Sequence, residues 1–412
     1  MMKTYLVGGA VRDQLLHYPV YEKDWVVVGA SVNEMLELGY QQVGKDFPVF
    51  LHPQTKDEHA LARTERNTAA GYKGFEVHAS PDVTLEEDLI RRDLTINAIA
   101  QDEAGNIIDP YNGQADLKNK ILRHVSPAFS EDPVRILRVA RFAARYAHLG
   151  FSVADETHDL MKKMVANGEA NALVAERVWQ EFHKALRERN PEIFIKTLRD
   201  CNALKIILPE IDALFGVPQP LQHHPEIDTG IHTLMVLQQA CLLSPEPVTR
   251  FAALCHDLGK ALTPKEDWPS HHGHEAKGKK PIQQLCHRLR IPNDFKSLAL
   301  ITAEFHLHVH RAFEIKKTTL LKTLEKLDGM RKPERYEQFL IACTADIRGR
   351  TGYENKEYPQ ADYYRQALAI IKSVDIQALK EMGLQGKEMG DAIHTARLSA
   401  LNKQLHFSES KT

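Results

Sequence analysis

The stretch that decides the fold is Tyr5-Leu6-Val7-Gly8-Gly9-Ala10-Val11-Arg12-Asp13, followed by Glu22-Lys23-Asp24-Trp25-Val26-Val27-Val28-Gly29. Tyr5–Val7 is a short apolar run that ends on two glycines, so a strand turns directly into a helix over Ala10–Leu16. Trp25–Val28 is β-branched after its tryptophan and closes on Gly29, the pattern of a buried strand. Glycines between strand and helix let a phosphate approach the backbone, and the helix N-terminus offers it free N–H groups. Arg12 lies one turn further on and can reach the same anion. A plain tight turn would look the same in isolation. Glu22 and Asp24 lie two residues apart as the chain enters the second strand, which points them to one face. Paired carboxylates repel unless a cation sits between them, and Mg²⁺ held by one or two carboxylates plus substrate phosphates is a common solution. A solvated, charged strand end is the plainer alternative.

Outward from this core, Ser31-x-x-Glu34 is a capping box that opens a second helix. Residues 48–52 and His59–Arg63 read as further strands. Residues 64–82 contain Gly71, Gly74 and Pro81 with little periodicity and read as a mobile loop. From Thr84 onward helical patterns dominate, and the second half has almost no strand pattern. The fold class expected is therefore an α+β head followed by an all-α body. The division expected is 1–140 for the head, 141–222 for a helical neck and body, 223–330 for a histidine-rich helical domain, and 331–412 for a helical tail.

Two arginine groups lie in the first of these regions and just beyond it. Arg91-Arg92-Asp93 follows an amphipathic segment; beside a phosphate site the arginines clamp a triphosphate, and Asp93 accepts from a ribose hydroxyl. Ser130-Glu131-Asp132-Pro133 opens a helix with a capping side chain and an early proline. Arg135, Arg138, Arg141 and Arg145 then recur at spacings of three, three and four, sharing one broad face. That face is either a solvated basic stripe or a wall turned toward a nucleotide.

Eleven of the 21 histidines fall between His223 and His310. His232 begins one apolar helix, and Arg250–Leu258 forms another that ends in His256-Asp257-Leu258-Gly259-Lys260. Imidazoles and carboxylates together suit transition metals such as Zn, Ni or Fe. A lone buried histidine is usually structural. A His-Asp dipeptide at a helix end, with a second helical histidine upstream, is less common.

Taken in order, Leu6–Asp13, Asp24 before its apolar strand, Arg91-Arg92-Asp93-Leu94-Thr95-Ile96-Asn97-Ala98 and Glu131-Asp132-x-x-Arg135 resemble the class II tRNA nucleotidyltransferase and poly(A) polymerase family. Long stretches between them, and the region beyond residue 220, are similar to gammaproteobacterial CCA-adding enzymes. The resemblance implies a polymerase-beta-like palm in the head and template-independent addition of the 3′-terminal C-C-A of tRNA from CTP and ATP. It implies that Gly9, Arg12, Arg92, Arg138 and Arg141 bind the incoming nucleotide and that Asp24, with Glu22 where the family usually has Asp, holds Mg²⁺. The histidine pattern resembles the HD phosphohydrolase domain. That likeness implies His232, His256 and Asp257 as ligands of a divalent transition metal, nickel among the candidates, with Asp346 as the distal carboxylate. His274 and His306 become accessory ligands or phosphate contacts, and the remaining histidines of the stretch read as surface residues. The activities implied are 2′,3′-cyclic phosphodiesterase, 2′-nucleotidase and phosphatase.

Asp132 and Arg135 have a logic of their own. One turn apart on a helix, they present an acceptor beside a donor. Cytosine and adenine both offer an amino donor next to an acceptor nitrogen, whereas guanine and uracil reverse the pattern. A site that leaves its buried polar groups unpaired with the wrong base can discriminate by roughly 10⁴-fold.

Bulk properties bound the remainder. The 412 residues suit about two to four domains. The net charge of -2 gives no global sign of a nucleic-acid partner, so basic surface must be local. One such excess runs from Asp116 to Gly150, with seven Lys/Arg against three Asp/Glu. Arg187, Arg189, Lys196 and Arg199 are candidate tRNA contacts. Five scattered cysteines without a C-x-x-C pair fit a reducing cytoplasm. The first residues lack a signal-peptide pattern, and no stretch approaches a membrane span. The expected partner is tRNA, and the assembly is a monomer or homodimer. Two rivals stand beside this reading: a poly(A) polymerase, against which the non-basic segment 407–412 speaks, and an HD phosphohydrolase whose head only binds RNA.

Overall fold

The computed structural model describes residues 2–20, 22–43, 49–67, 75–222 and 224–406. They form two compact units, Met1–Ile207 and Leu208–Thr412. The first unit begins with β1 (Lys3–Val7), α1 (Gly9–Leu15), β2 (Asp24–Val28), α2 (Val32–Glu37), β3 (Gln41–Val43), β4 (Val49–Leu51) and β5 (Glu58–Leu61). The capping box holds as expected: Glu34 N donates to Ser31 Oγ at 3.3 Å, and Ser31 N donates back to Glu34 Oε2 at 2.7 Å.

Residues 64–82 are not simply a loop. β6 (Arg63–Asn67) pairs antiparallel with β7 (Phe75–Ala79), and the intervening glycines lie outside the described residues. The charges in Arg63-Thr64-Glu65-Arg66 break the alternation by which a strand is recognised. After α3 (Leu85–Ile90), β8 (Ala100–Gln101) and β9 (Ile107–Ile108) complete a seven-stranded sheet of order β3-β4-β5-β2-β1-β8-β9. β2 is central: antiparallel to β1 and parallel to β5. Its Val26 packs with Leu85 and Leu89 of α3, and its Val27 packs with Met35 of α2 on the opposite face. Burial on both faces explains its unbroken apolar run.

α4 (Gly113–Asn119) precedes α5 (Val134–Tyr146), which is buried along most of its length and packs against α7 (Ala175–Arg187) and α8 (Pro191–Asp200) beyond α6 (Asp155–Ala166). The boundary expected at 140/141 falls inside α5. The helix start is the one expected: Asp132 is extended, with φ -120° and ψ 107°, as a capping residue is, its Oδ1 accepts from Val134 N at 3.0 Å, and Pro133 is the first residue with helical backbone angles.

Two short helices, α9 (Leu204–Ile207) and α10 (Pro209–Asp212), straddle the division between units. Among its described residues the second unit has helices and connecting loops and no strand beyond an isolated bridge between Pro218 and Asp228. α11 (Thr229–Leu243) carries His232, and His256 directly follows α12 (Pro247–Cys255); α13 (His274–Lys277), α14 (Lys279–Arg288), α15 (Asn293–His310), α16 (Lys317–Leu327) and α17 (Pro333–Arg348) come after them. α17 packs directly on α11, α12 and α15, so residues beyond 330 belong to the same core as the histidine-bearing helices. The segment 271–281 contains α13 and the start of α14. His271 anchors it, with Nε2 2.7 Å from Pro218 O and Nδ1 2.6 Å from Thr263 Oγ1. Residues 407–412 lie outside the described residues, and no described helix is long and apolar enough to cross a membrane.

Candidate active sites

The first unit holds a cleft of about 990 Å³ that gathers the head's predicted residues. Gly8 makes the turn from β1 into α1 at φ 67°, a region disfavoured for residues with a Cβ. A Cβ there would also lie 2.8 Å from Arg92 Nη1, so glycine brings the backbone close to a guanidinium. Gly9 begins α1 and lines the cleft. Arg12 is 4% exposed; its Nε donates to Asp13 Oδ1 at 2.8 Å, its Nη1 donates to Asn97 Oδ1, and it lies over the Phe142 ring.

Asp24 is the first residue of β2, while Glu22 precedes the strand rather than lying in it. Both line the cleft. Glu58 joins them: it opens β5 and is the register partner of Asp24 across the parallel pair. Burial raises the Asp24 carboxyl above its usual value, Arg92 pulls it partly back, and the charge of Glu22 adds to the rise. All three carboxylates line the cleft, with Asp24 and Glu58 in register across β2 and β5, and oxygen donors of this kind are what Mg²⁺ takes.

The opposite charge is organised by buried acids that the sequence did not single out. Asp88, 1% exposed on α3, binds Arg91 Nη2 at 2.9 Å and Arg92 Nη2 at 3.1 Å. Burial works against the Asp88 anion, but Arg92 and Arg91 hold its carboxyl below the usual range. Asp13 receives Arg145 Nη2 at 3.1 Å and Tyr146 Oη at 2.8 Å, and Glu181 of α7 receives Arg141 Nε at 2.6 Å. Asp93 is itself an anchor: its Oδ1 accepts from Leu94 N at 2.9 Å and Asn97 Nδ2 at 2.8 Å, and its Oδ2 accepts from Arg138 Nε at 2.6 Å. All four arginines of α5 line the cleft, so the stripe is turned inward and is not a solvated face. In total eleven Lys/Arg face seven Asp/Glu around the cavity, a local excess suited to a triphosphate.

Asp132 and Arg135 each have other partners. The Asp132 carboxylate accepts from Val134 N at 3.0 Å and from Arg177 Nη1 and Nη2 at 3.3 and 3.0 Å. Arg135 donates to the carbonyls of Ala128 at 2.6 Å and Arg91 at 2.5 Å. Both residues still line the cleft, with Arg177 beside them.

The second unit brings His232, His256, Asp257 and Asp346 together from α11, the end of α12 and α17. His232 Nε2 lies 3.1 Å from Asp346 Oδ1, and His256 Nε2 lies 3.1 Å from Asp257 Oδ2 and 3.7 Å from Asp346 Oδ1. All four are at most 3% exposed. His256 Nδ1 points its hydrogen at Ala253 O, 2.7 Å away, which turns the Nε2 lone pair toward the carboxylates without a hydrogen-bond partner. An orphaned buried imidazole nitrogen between two carboxylates fits a bound divalent metal.

Several surrounding groups were read as surface histidines or not read at all. His224 is buried and binds Glu226 Oε1 at 3.0 Å; the same oxygen lies 2.9 Å from His232 Nδ1. His310 bridges Asp346 Oδ2 and the Tyr358 hydroxyl, at 2.6 Å each. These contacts orient a ligand histidine and a ligand carboxylate from behind. Lys260 Nζ lies 2.6 Å from Asp257 Oδ2. His223 is outside the described residues.

Comparison with known proteins agrees with this two-site layout. The family model for the poly A polymerase head domain matches residues 4–123, one described as a probable RNA and SrmB-binding site of polymerase A matches 150–215, and the HD domain matches 229–342. A protein named multifunctional CCA protein from Thioalkalivibrio sulfidiphilus is 64% identical over 404 residues, covering 98% of each chain. One of the same name from Teredinibacter turnerae is 61% identical over 400 residues, covering 97% of each. The fold is shared with the Thermotoga maritima CCA-adding enzyme complexed with tRNA, at a TM-score of 0.65 and 20% identity over 99% of this chain and 89% of that one.

Proposed function

The chain belongs to the family of multifunctional CCA proteins, and from that membership we propose that it completes the 3′ end of tRNA by adding C, C and A from CTP and ATP in the cleft of its first unit. It is a nucleotidyltransferase that also carries an HD phosphohydrolase domain. The observation that carries the assignment is the cleft itself, lined by the carboxylates at the starts of β2 and β5 and by arginines held by buried acids.

Arg12, Arg92, Arg138 and Arg141 bind the triphosphate, with Gly9 allowing it close to the start of α1. Asp24, Glu22 and Glu58 hold Mg²⁺, which supplies charge neutralisation where the RNA 3′ hydroxyl meets the α-phosphorus. A phosphodiester bond forms, the bond to pyrophosphate breaks, and the hydroxyl proton passes to solvent. Asp132 and Arg135 read the base edge, exchanging their partners Arg177 and the Ala128 and Arg91 carbonyls for the amino group and ring nitrogen of C or A. Asp93 acts as the anchor of Arg138. Arg187, which lines the cleft, and Arg189, Lys196 and Arg199 within the segment matched as RNA-binding meet the tRNA backbone.

His232, His256, Asp257 and Asp346 hold a transition metal such as Ni²⁺. This site hydrolyses 2′,3′-cyclic phosphates, 2′-nucleotides and phosphomonoesters, which would clear damaged RNA ends before extension. The setting is the cytoplasm, in keeping with five free cysteines, four of them buried.

The two activities have separate ligand sets on separate units, so they should separate on mutation. His256→Ala or Asp257→Ala is expected to abolish hydrolysis of 2′,3′-cyclic AMP and leave CCA addition intact; Asp24→Ala should do the reverse. Loss of both activities in a folded His256→Ala protein would contradict this division.

A further inference from the structure

We propose that Arg350 binds the phosphoryl group of the ester hydrolysed in the second unit, and that its two-pronged contact makes the site favour phosphomonoesters over 2′,3′-cyclic phosphates. The proposal rests on the hydrolase reading above and gives that site a substrate-binding residue and an order of preference.

Arg350 lies just beyond the end of α17, four residues after Asp346, and both of its chain neighbours are pinned. A Cβ on Gly349 would lie 2.7 Å from both the N and the Cα of Val236, so glycine is what lets the end of α17 close on the backbone of α11, one turn past His232. On the other side, Thr351 N donates to Glu226 Oε2 at 3.4 Å, and the other oxygen of Glu226 lies 2.9 Å from His232 Nδ1. The arginine is thereby fixed beside two of the four proposed metal ligands, His232 and Asp346.

Its guanidinium is charged, largely buried and little used. Nη2 lies 3.8 Å from Asp346 Oδ1, too far for a hydrogen bond, and Nε is buried with no hydrogen-bond partner. Asp346 does not call for it: Oδ2 accepts from His310 Nε2 at 2.6 Å, and Oδ1 faces His232 Nε2 at 3.1 Å. Lys260, the cation on the Asp257 side, is by contrast engaged by both Asp257 Oδ2 and Gln219 Oε1. Arg350 is also the more open of the two, its side chain 16% exposed against 9% for Lys260 and at most 5% for the four ligands. Its charge reaches rings on both sides: burial, the larger cause, and Arg350 together lower His224 and His310 below the usual histidine value. Buried guanidinium donors without acceptors are costly, and a ligand that brings acceptors of opposite charge removes that cost.

A phosphoryl group is the ligand such a side chain fits. The Nε–Nη2 edge of a guanidinium offers two parallel N–H donors, spaced to meet two oxygens of one phosphate. A monoester has three terminal oxygens and, near neutral pH, a charge of about −1.5 to −2. A 2′,3′-cyclic phosphate has two terminal oxygens and a single negative charge. With two oxygens on Arg350, the monoester keeps a third for a metal held by His232, His256, Asp257 and Asp346, whereas the cyclic diester keeps none. The cyclic substrate must therefore give up one bond of the fork, and Arg350 contributes more to holding the monoester.

The test compares the two substrate classes on the full-length, nickel-loaded chain. In Arg350→Gln, KM for 2′-AMP should rise about tenfold or more, and KM for 2′,3′-cyclic AMP less than about threefold, as expected for losing two charge-assisted bonds against one. Arg350→Lys, which keeps the charge and loses the fork, should fall between wild type and Arg350→Gln for 2′-AMP. Calorimetric titration with inorganic phosphate, the head filled with CTP, should show a matching loss of affinity in Arg350→Gln. Nickel retained per chain, read by mass spectrometry, should equal that of the wild type. An unchanged KM for 2′-AMP, or equal rises for both substrates, would overturn the proposal. So would loss of bound nickel together with both activities, which would make Arg350 a structural counter-ion of Asp346. A wild-type chain that hydrolyses neither ester would instead overturn the hydrolase reading beneath it.

Discussion

Replacing Asp93 separates two accounts of the nucleotide site. The sequence suggests that Asp93 accepts from a ribose hydroxyl, whereas the structure makes it the anchor of Arg138. In Asp93→Ala, Leu94 N, Asn97 Nδ2 and Arg138 Nε all lose their acceptor in a site only 7% exposed. Each neutral donor left unpaired costs about 1 kcal/mol. Breaking a buried ion pair by removing one partner costs ~3–5 kcal/mol, discounted here to about 2 because the Arg138 side chain, at 35% exposed, still reaches water. The total of about 4 kcal/mol should lower the melting temperature of the first unit by about 10 °C. Released from its anchor, Arg138 should bind triphosphate less well, raising KM for CTP about tenfold, or ~1.4 kcal/mol. Burial opposes the Asp93 anion, but Arg138 and Asn97 outweigh it and hold the carboxyl below its usual value. Its stabilisation is therefore present above the unfolded value of about 3.9 and is lost as pH falls toward the depressed folded value. The stability gap between wild type and Asp93→Asn should stay flat from about pH 8 to 5 and shrink only below about pH 4. Calorimetry and steady-state kinetics with CTP and dCTP decide the matter. The anchor role requires both substrates to weaken together. A selective loss of discrimination against dCTP at an unchanged melting temperature would refute it.

The remaining predictions concern the two walls of the cleft and the glycine of the HD loop. Asp24→Ala should abolish CMP and AMP incorporation with the fold intact, Glu22→Asp should be tolerated, and Glu58→Ala should lower kcat and raise the Mg²⁺ concentration needed for half-maximal rate; near-normal kcat in Asp24→Ala would remove it from the metal site. Asp132→Ala should relax rejection of UTP and GTP while triphosphate affinity changes little, and Arg177→Ala, which frees the carboxylate, should lower KM for CTP rather than raise it; competition assays with all four triphosphates check both. Gly259→Ala places a methyl group against His274 O and should destabilise the second unit by about 3 kcal/mol, the upper end of what overpacked sites typically cost, visible as a lowered thermal transition.

What the sequence made legible was local. The strand–glycine–helix opening, the valine strand after Asp24, the adjacent Arg91 and Arg92, the arginine spacing of α5 and the His256-Asp257 dipeptide all carry their meaning within a few residues. What escaped depended on pairing between distant segments. Glu58 is an ordinary strand acid until the parallel register sets it beside Asp24. Asp88 looks like one of three solvated acids in Leu85-Glu86-Glu87-Asp88, and only packing shows that it alone faces inward, beneath two arginines. Arg177 and Glu181 sit on an amphipathic helix where charges are expected at the surface. The supporting roles of Glu226, His310 and Tyr358 exist only once three helices converge.

A cleft that accepts only C and A should write C-C-A and nothing else onto tRNA. The direct measurement is the mass of the 3′ end after a tRNA lacking its last three nucleotides is incubated with the wild-type chain, Mg²⁺ and all four nucleoside triphosphates together. One product is expected, extended by two C and one A and then unchanged with time, with no extension by Asp24→Ala. A growing run of A, incorporation of U or G, or equal extension by the Asp24→Ala protein would contradict it.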